Sequence, residues 1–123
     1  MFAAYGICML CTQWRALCEI DAGICDGLTY EDIKKRWPEE FAARKKDKLR
    51  YRYPRGESYL DLIERLEPVI FELERLKFPV VVVGHQAVLR CLYAYFWGEN
   101  TPQMSDIPFV AIPLHTVLDT SIP

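Results

Sequence analysis

The sequence predicts an α/β fold on three observations: a run of β-branched residues, a glycine that ends it, and an apolar helix directly after. Pro79–Val83 reads PVVVV, a pattern typical of a strand buried on both faces. Gly84 stops the run, and QAVLRCLYAYFW follows with the apolar content of a packed helix. Strand, tight turn and helix make half of a βαβ unit. The 123 residues are enough for one domain.

The elements before it follow in chain order. Residues 1–13 are apolar and cysteine-rich, and lead into Trp14. They have no basic leader, and are too short to span a bilayer. Leu17–Gly23 (LCEIDAG) has no helical period and is expected to be extended or a loop. Thr29 caps a predicted short helix, TYEDIKKRW, with Asp32 three residues on and Pro38 beyond its end. Seven Lys or Arg residues lie between positions 44 and 55. Ser58 then caps a long helix reaching to about Leu76. Tyr59, Leu62, Ile63, Leu66, Val69, Ile70 and Leu73 form its apolar stripe. Glu64, Arg65, Glu67, Glu72 and Glu74 fall largely on its wet side, and Pro68 is expected to bend or split it. Val110–Leu118 reads as a last strand, placed at an edge by Pro113.

Composition excludes several function classes. Half the residues are apolar, which rules against a disordered chain. A net charge of −2 gives no global pull toward nucleic acid or anionic membrane, so any anion site must be local. The five cysteines, at 8, 11, 18, 25 and 91, are odd in number and irregular in spacing. They do not read as a disulfide framework. Cys8 and Cys11 form a CxxC, but no second pair or nearby histidine completes a zinc set. No metal or cofactor is expected, and a reducing, cytoplasmic setting fits.

Three groups carry chemistry. The string GHQAVLR puts His85 past the end of a strand, where ligands bind in open α/β sheets. It lies at the mouth of a helix whose free N–H groups attract anions. Gln86 and Arg90, four apart, share a helix face. Together the three can hold a phosphate. They fit equally a core-edge histidine and an arginine paired with a carboxylate. Glu19, in the apolar string LCEI, has the partly desolvated setting of a general acid, although Asp21 is an alternative and a plain loop glutamate is the commoner case. The basic run, interleaved with Tyr51 and Tyr53, is either a solvated loop, a nucleic-acid stripe or a clamp for a second phosphate. His115, in PLHTV, is taken as structural.

Five strings, EIDAG, LTYEDI, YRYPRGESYLDLIERLEPVI, GHQAVLRCL and PLHTVL, closely resemble the bisphosphatase domain of the 6-phosphofructo-2-kinase/fructose-2,6-bisphosphatase family. The likeness runs from Trp14 to Leu118 and leaves residues 1–13 as an unmatched segment, with 14–123 as a partial histidine-phosphatase domain. It implies a phosphoglycerate-mutase-like three-layer sandwich with a mainly parallel sheet, here without its first strand. It also implies hydrolysis of the 2-phosphate of fructose 2,6-bisphosphate through a phosphohistidine, giving fructose 6-phosphate. The resemblance puts the proton-donating glutamate on Glu19 and the second active-site histidine on His85. Substrate-binding positions fall on Tyr30, Arg44, Lys48, Tyr59, Gln86 and Arg90. The partner implied is a small sugar phosphate, with no nucleic acid and no membrane, and with the full-length family protein dimeric.

The departures are equally definite. The family nucleophile sits in an RHGE-type string, and the histidines here are His85 and His115 alone. A phosphate-binding arginine expected shortly before Trp14 and the glycine-rich ATP loop of the kinase domain are also missing. The expectation is therefore a shortened product, whether by truncation, splicing or gene assembly. Its own activity should be weak or absent, and its valine strand should be left with an open apolar edge. It would then act as a sugar-phosphate-binding remnant or stay inert.

Overall fold

A proline and two capping boxes start three of the four helices found among the described residues. The computed structural model describes residues 10–96, 104–110, 112, 113, 117 and 118. Helix α1, Tyr30–Arg36, opens on Thr29, whose hydroxyl accepts from the Asp32 amide while the Asp32 carboxylate accepts from the Thr29 amide. Two of the N–H groups a helix start leaves free are thereby satisfied. Helix α2, Pro38–Lys46, begins on a proline with Glu39 and Glu40 in its first turn and ends on Arg44, Lys45 and Lys46. Proline suits this first position, and both charge clusters oppose the helix dipole. Part of the basic run is thus helical, which corrects its reading as a loop.

Helix α3, Tyr59–Arg75, carries the core. Ser58 and Asp61 form its capping box, and Arg52 grips Asp61 with two bonds of 2.9 and 2.6 Å. Leu62 and Leu66 are wholly buried and Val69 nearly so, one stripe at spacings of four and three. Burying each leucine contributes on the order of 1.5–3 kcal/mol. Pro68 does not split the helix, which stays continuous to Arg75. It sits on the exposed face, where the Glu64 carbonyl it leaves without an amide partner can meet water. Helix α4, Gln86–Phe96, packs on α3 through Ala87, Val88, Cys91 and Leu92, with Leu49 and Tyr59 closing the cluster.

One sequence expectation changes. None of the described residues lies in a β-strand, so the valine run is not a strand buried on both faces. Val80, Val81 and Val83 are 44%, 61% and 75% exposed, and Val82 alone of the four packs against the core. A buried strand needs neighbours to take its ladder bonds and cover its side chains, and the described residues supply none. Of Val110–Leu118, the residues described include no strand. A 3-10 segment, Met104–Phe109, precedes it and packs on α4. The other residues of that stretch, His115 included, lie outside the described ones, as does Cys8.

Between residues 14 and 25 the chain makes 3-10 turns at Arg15–Leu17 and Gly23–Cys25, with an irregular loop between. This loop crosses residues 53–57 almost backbone on backbone. A Cβ on Gly23 would fall 2.0 Å from the Pro54 carbonyl oxygen, and one on Gly56 2.3 Å from that of Asp21. Gly23 also has φ +53°, a region only glycine enters cheaply.

Candidate active site

Every helix contributes to one cleft of about 90 Å³. Tyr30 opens α1, Arg44 lies in the last turn of α2 and Lys48 two residues beyond its end. Tyr59 is the first residue of α3, and Gln86 and Arg90 lie one turn apart on α4. All six line the cleft, with Glu19 and Ile20 supplied by the irregular loop. Seven of the eight residues expected from the sequence are brought together. His85 is the exception: it is exposed, directly precedes α4, and is not among the residues lining the cleft. Its carbonyl accepts from the Leu89 amide at 2.9 Å.

The cleft is cationic, and its cations are held by neutral groups. Arg44 donates from Nε to the Tyr53 hydroxyl at 2.8 Å and from Nη2 to the Tyr30 hydroxyl at 3.2 Å. Its guanidinium also lies 4.7 Å from the centre of the Tyr30 ring, a cation–π distance. Lys48 Nζ donates to the Pro108 carbonyl at 3.0 Å and sits over the Phe109 ring. Arg90 donates to the Val110 carbonyl at 2.9 Å and to the Tyr59 hydroxyl at 3.2 Å, and Gln86 to the Ile112 carbonyl at 3.2 Å. None of the three cations forms an ion pair among the described residues. The reading of Arg90 as a carboxylate's partner is therefore set aside.

Electrostatics record the crowding. Burial, then the charges of Arg44 and Arg90, pull the Lys48 ammonium down to about 8. Burial pushes the phenols of Tyr53 and Tyr59 up, against the pull of Arg44 and Arg90 respectively. Three positive groups face one cleft, none of them in an ion pair among the described residues, and their summed field favours an anion there. Glu19 is half-buried at its edge, and its Oε1 accepts from the Ile20 amide at 2.9 Å.

Some participants were not singled out from the sequence. Tyr51 and Tyr53 also line the cleft; their interleaving with the basic run is the sequence signal, open there to a loop, a nucleic-acid stripe or a phosphate clamp. Arg65 is not on the wet side: it is half-buried and binds the Glu19 loop. Burial, with Glu19 nearby, pushes the Cys91 thiol up to about 12, so it is a packed thiol without thiolate character. Among the described residues no cluster of three His, Cys, Asp or Glu side chains suits a metal. No helix among them is long and apolar enough to cross a membrane.

Residues 3–118 match the model of the histidine phosphatase superfamily, branch 1. The chain is 66% identical over 107 residues to the 6-phosphofructo-2-kinase/fructose-2,6-bisphosphatase of Arabidopsis thaliana, covering 87% of this chain and 14% of that protein. It is 58% identical over 106 residues to the human 6-phosphofructo-2-kinase/fructose-2,6-bisphosphatase 1, covering 86% and 22%. The fructose-2,6-bisphosphatase of Saccharomyces cerevisiae is also 58% identical over 106 residues, covering 86% and 23%. The chain thus spans less than a quarter of the length of these relatives.

Proposed function

Because the chain belongs to the histidine phosphatase superfamily, we propose that its cleft binds the phosphates of fructose 2,6-bisphosphate and serves removal of the 2-phosphate. The observation that carries this reading is the trio Arg44, Lys48 and Arg90, half-buried and without carboxylate partners among the described residues. The names of the relatives supply the substrate.

Each group then has a part. Arg44 and Lys48 hold the 6-phosphate, with Tyr30 aligning the Arg44 fork. Arg90, with Gln86, faces the phosphoryl group being transferred and offsets its developing charge. His85 reaches that group from the head of α4 once substrate is bound. In the reaction the resemblance implies, a histidine nitrogen attacks phosphorus in line, the bond from phosphorus to the 2-oxygen breaks, and that oxygen takes its proton from Glu19. Water then frees the phosphate. The attacking histidine belongs to an RHGE-type string, and this sequence contains none. Removing a covalent nucleophile lowers hydrolase rates by roughly 10⁴–10⁶-fold.

The experiment is phosphate release from fructose 2,6-bisphosphate near neutral pH, beside a Glu19→Gln, His85→Ala double variant. Release that the variant loses supports hydrolysis by this chain, with His85 or a less obvious group as nucleophile. Equal release from both sinks it. A second reading, a module that binds sugar phosphate without turnover, is favoured by one fact: the binding positions are present where the nucleophile string is not. Calorimetry with fructose 6-phosphate giving neither heat nor a thermal shift would sink that one.

A further inference from the structure

The irregular loop that carries Glu19 is fastened from one side by a single guanidinium. Arg65, on α3, donates from Nη1 to the carbonyls of Ala16 at 2.6 Å and Cys18 at 3.0 Å. From Nη2 it donates to the carbonyl of Glu19 itself at 3.3 Å. Its Nε and Nη2 also grip Glu57 at 2.9 and 3.0 Å. Arginine has five N–H donors, and five bonds use them. Glu57 continues the fastening: its Oε2 accepts from the Asp21 amide at 2.9 Å, and its own amide donates to the Asp21 carbonyl at 2.7 Å.

Residues 18–22 have no helix or ladder of their own to fix them. Four backbone groups between Ala16 and Asp21 are instead satisfied by the side chains of one half-buried ion pair, and a fifth, the Asp21 carbonyl, by the Glu57 amide. On the cleft side, the Glu19 carboxylate is turned back onto the Ile20 amide. The loop backbone and the carboxylate are therefore set by two adjoining groups of bonds, and the first runs through Arg65.

We propose that Arg65, oriented by Glu57, is the positioning residue that aims the Glu19 carboxylate into the phosphate cleft; this rests on Glu19 as the proton donor. Arg65 touches neither the cleft nor any reacting atom. Its fork geometry is required, because a lysine has three donors on one nitrogen and cannot span three carbonyls and a carboxylate.

The test is carbon-13 NMR of the Glu19 carboxyl in the whole chain at constant pH, with and without fructose 6-phosphate and inorganic phosphate. Glu19→Gln assigns the signal. In the unaltered chain, the anions should displace the Glu19 carboxyl signal, as a charge bound beside the carboxylate does. Arg65→Lys should reduce that response to less than about half, while the α4 resonances keep their dispersion. An Arg65→Lys chain with the full response overturns the inference and leaves the Glu19 assignment standing. No response in the unaltered chain removes the assignment, and the inference with it. Should Arg65→Lys not fold, Glu57→Gln, which keeps the shape and weakens the grip, decides. Faster amide exchange at Asp21 with a smaller Glu19 response supports the inference, and an unchanged response overturns it.

Discussion

The basic run and the valine run have exchanged the places their chemistry suggests. Of the cations between 44 and 55, Arg44 and Lys48 turn inward to a shared cleft. Of the four valines between 80 and 83, three are exposed by 44–75%. The difference is in the partners available. Each inward cation finds a phenol or a carbonyl, so its desolvation is offset by hydrogen bonds. The exposed valines have no described neighbour to cover them. Burial follows from what stands opposite a side chain as much as from its own polarity.

That contrast can be broken or sharpened by substitution. Leu66→Ala, in the core that both runs border, should cost about 2–5 kcal/mol, read as a lowered urea midpoint. A cost below about 1 kcal/mol would show that the core of α3 and α4 is loosely packed. Arg44→Ala should weaken fructose 6-phosphate binding by roughly 10- to 100-fold, the ~1.5–3 kcal/mol scale of charge-assisted bonds. Calorimetry giving an unaltered dissociation constant would return the basic run to a plain solvated role.

A smaller effect concerns pH. With its pKa near 8, Lys48 is cationic below that value and neutral above, while the ligand phosphate is already dianionic above about pH 7. Affinity should therefore be steady near pH 7 and fall as pH rises through 8 to 9. Lys48→Met should bind more weakly and lose that slope; a slope unchanged in the variant assigns it to another group. Smallest of all, Val81→Thr should move stability by less than about 0.5 kcal/mol. A loss several times larger would mean that the valine face is covered in solution.

What was legible in the sequence was local. Thr29 with Asp32, and Ser58 before a stripe at helical spacing, are each complete within four or five residues, and both helices formed there. Helix α2 is hidden in the sequence because no apolar stripe marks it; Pro38 marks the end of one helix and, less visibly, the start of the next. The valine run forms no strand among the described residues because a ladder needs a second segment, which the run itself does not encode. Arg65 was misplaced for a related reason. Its carbonyl partners lie 46 to 49 residues earlier, and periodicity sees only its neighbours. In the cleft, residue type and spacing supplied the phosphate reading at Gln86 and Arg90, and resemblance selected Arg44 and Lys48 from the seven cations.

The crossing of residues 21–24 with 53–57 bears on how the chain would meet a protease. Arg55 is exposed in a Pro-Arg-Gly turn with φ 59°, outwardly an inviting site for trypsin. Yet Ile24, Gly56 and Glu57 give their amides to Pro54, Tyr53 and Asp21 at 3.1, 2.8 and 2.7 Å. Fitting the turn into a protease groove requires opening those bonds together. Arg55 should therefore be cut slowly while the fold holds and quickly once it opens, which makes that peptide bond a built-in gauge of whether the Glu19 loop is still seated.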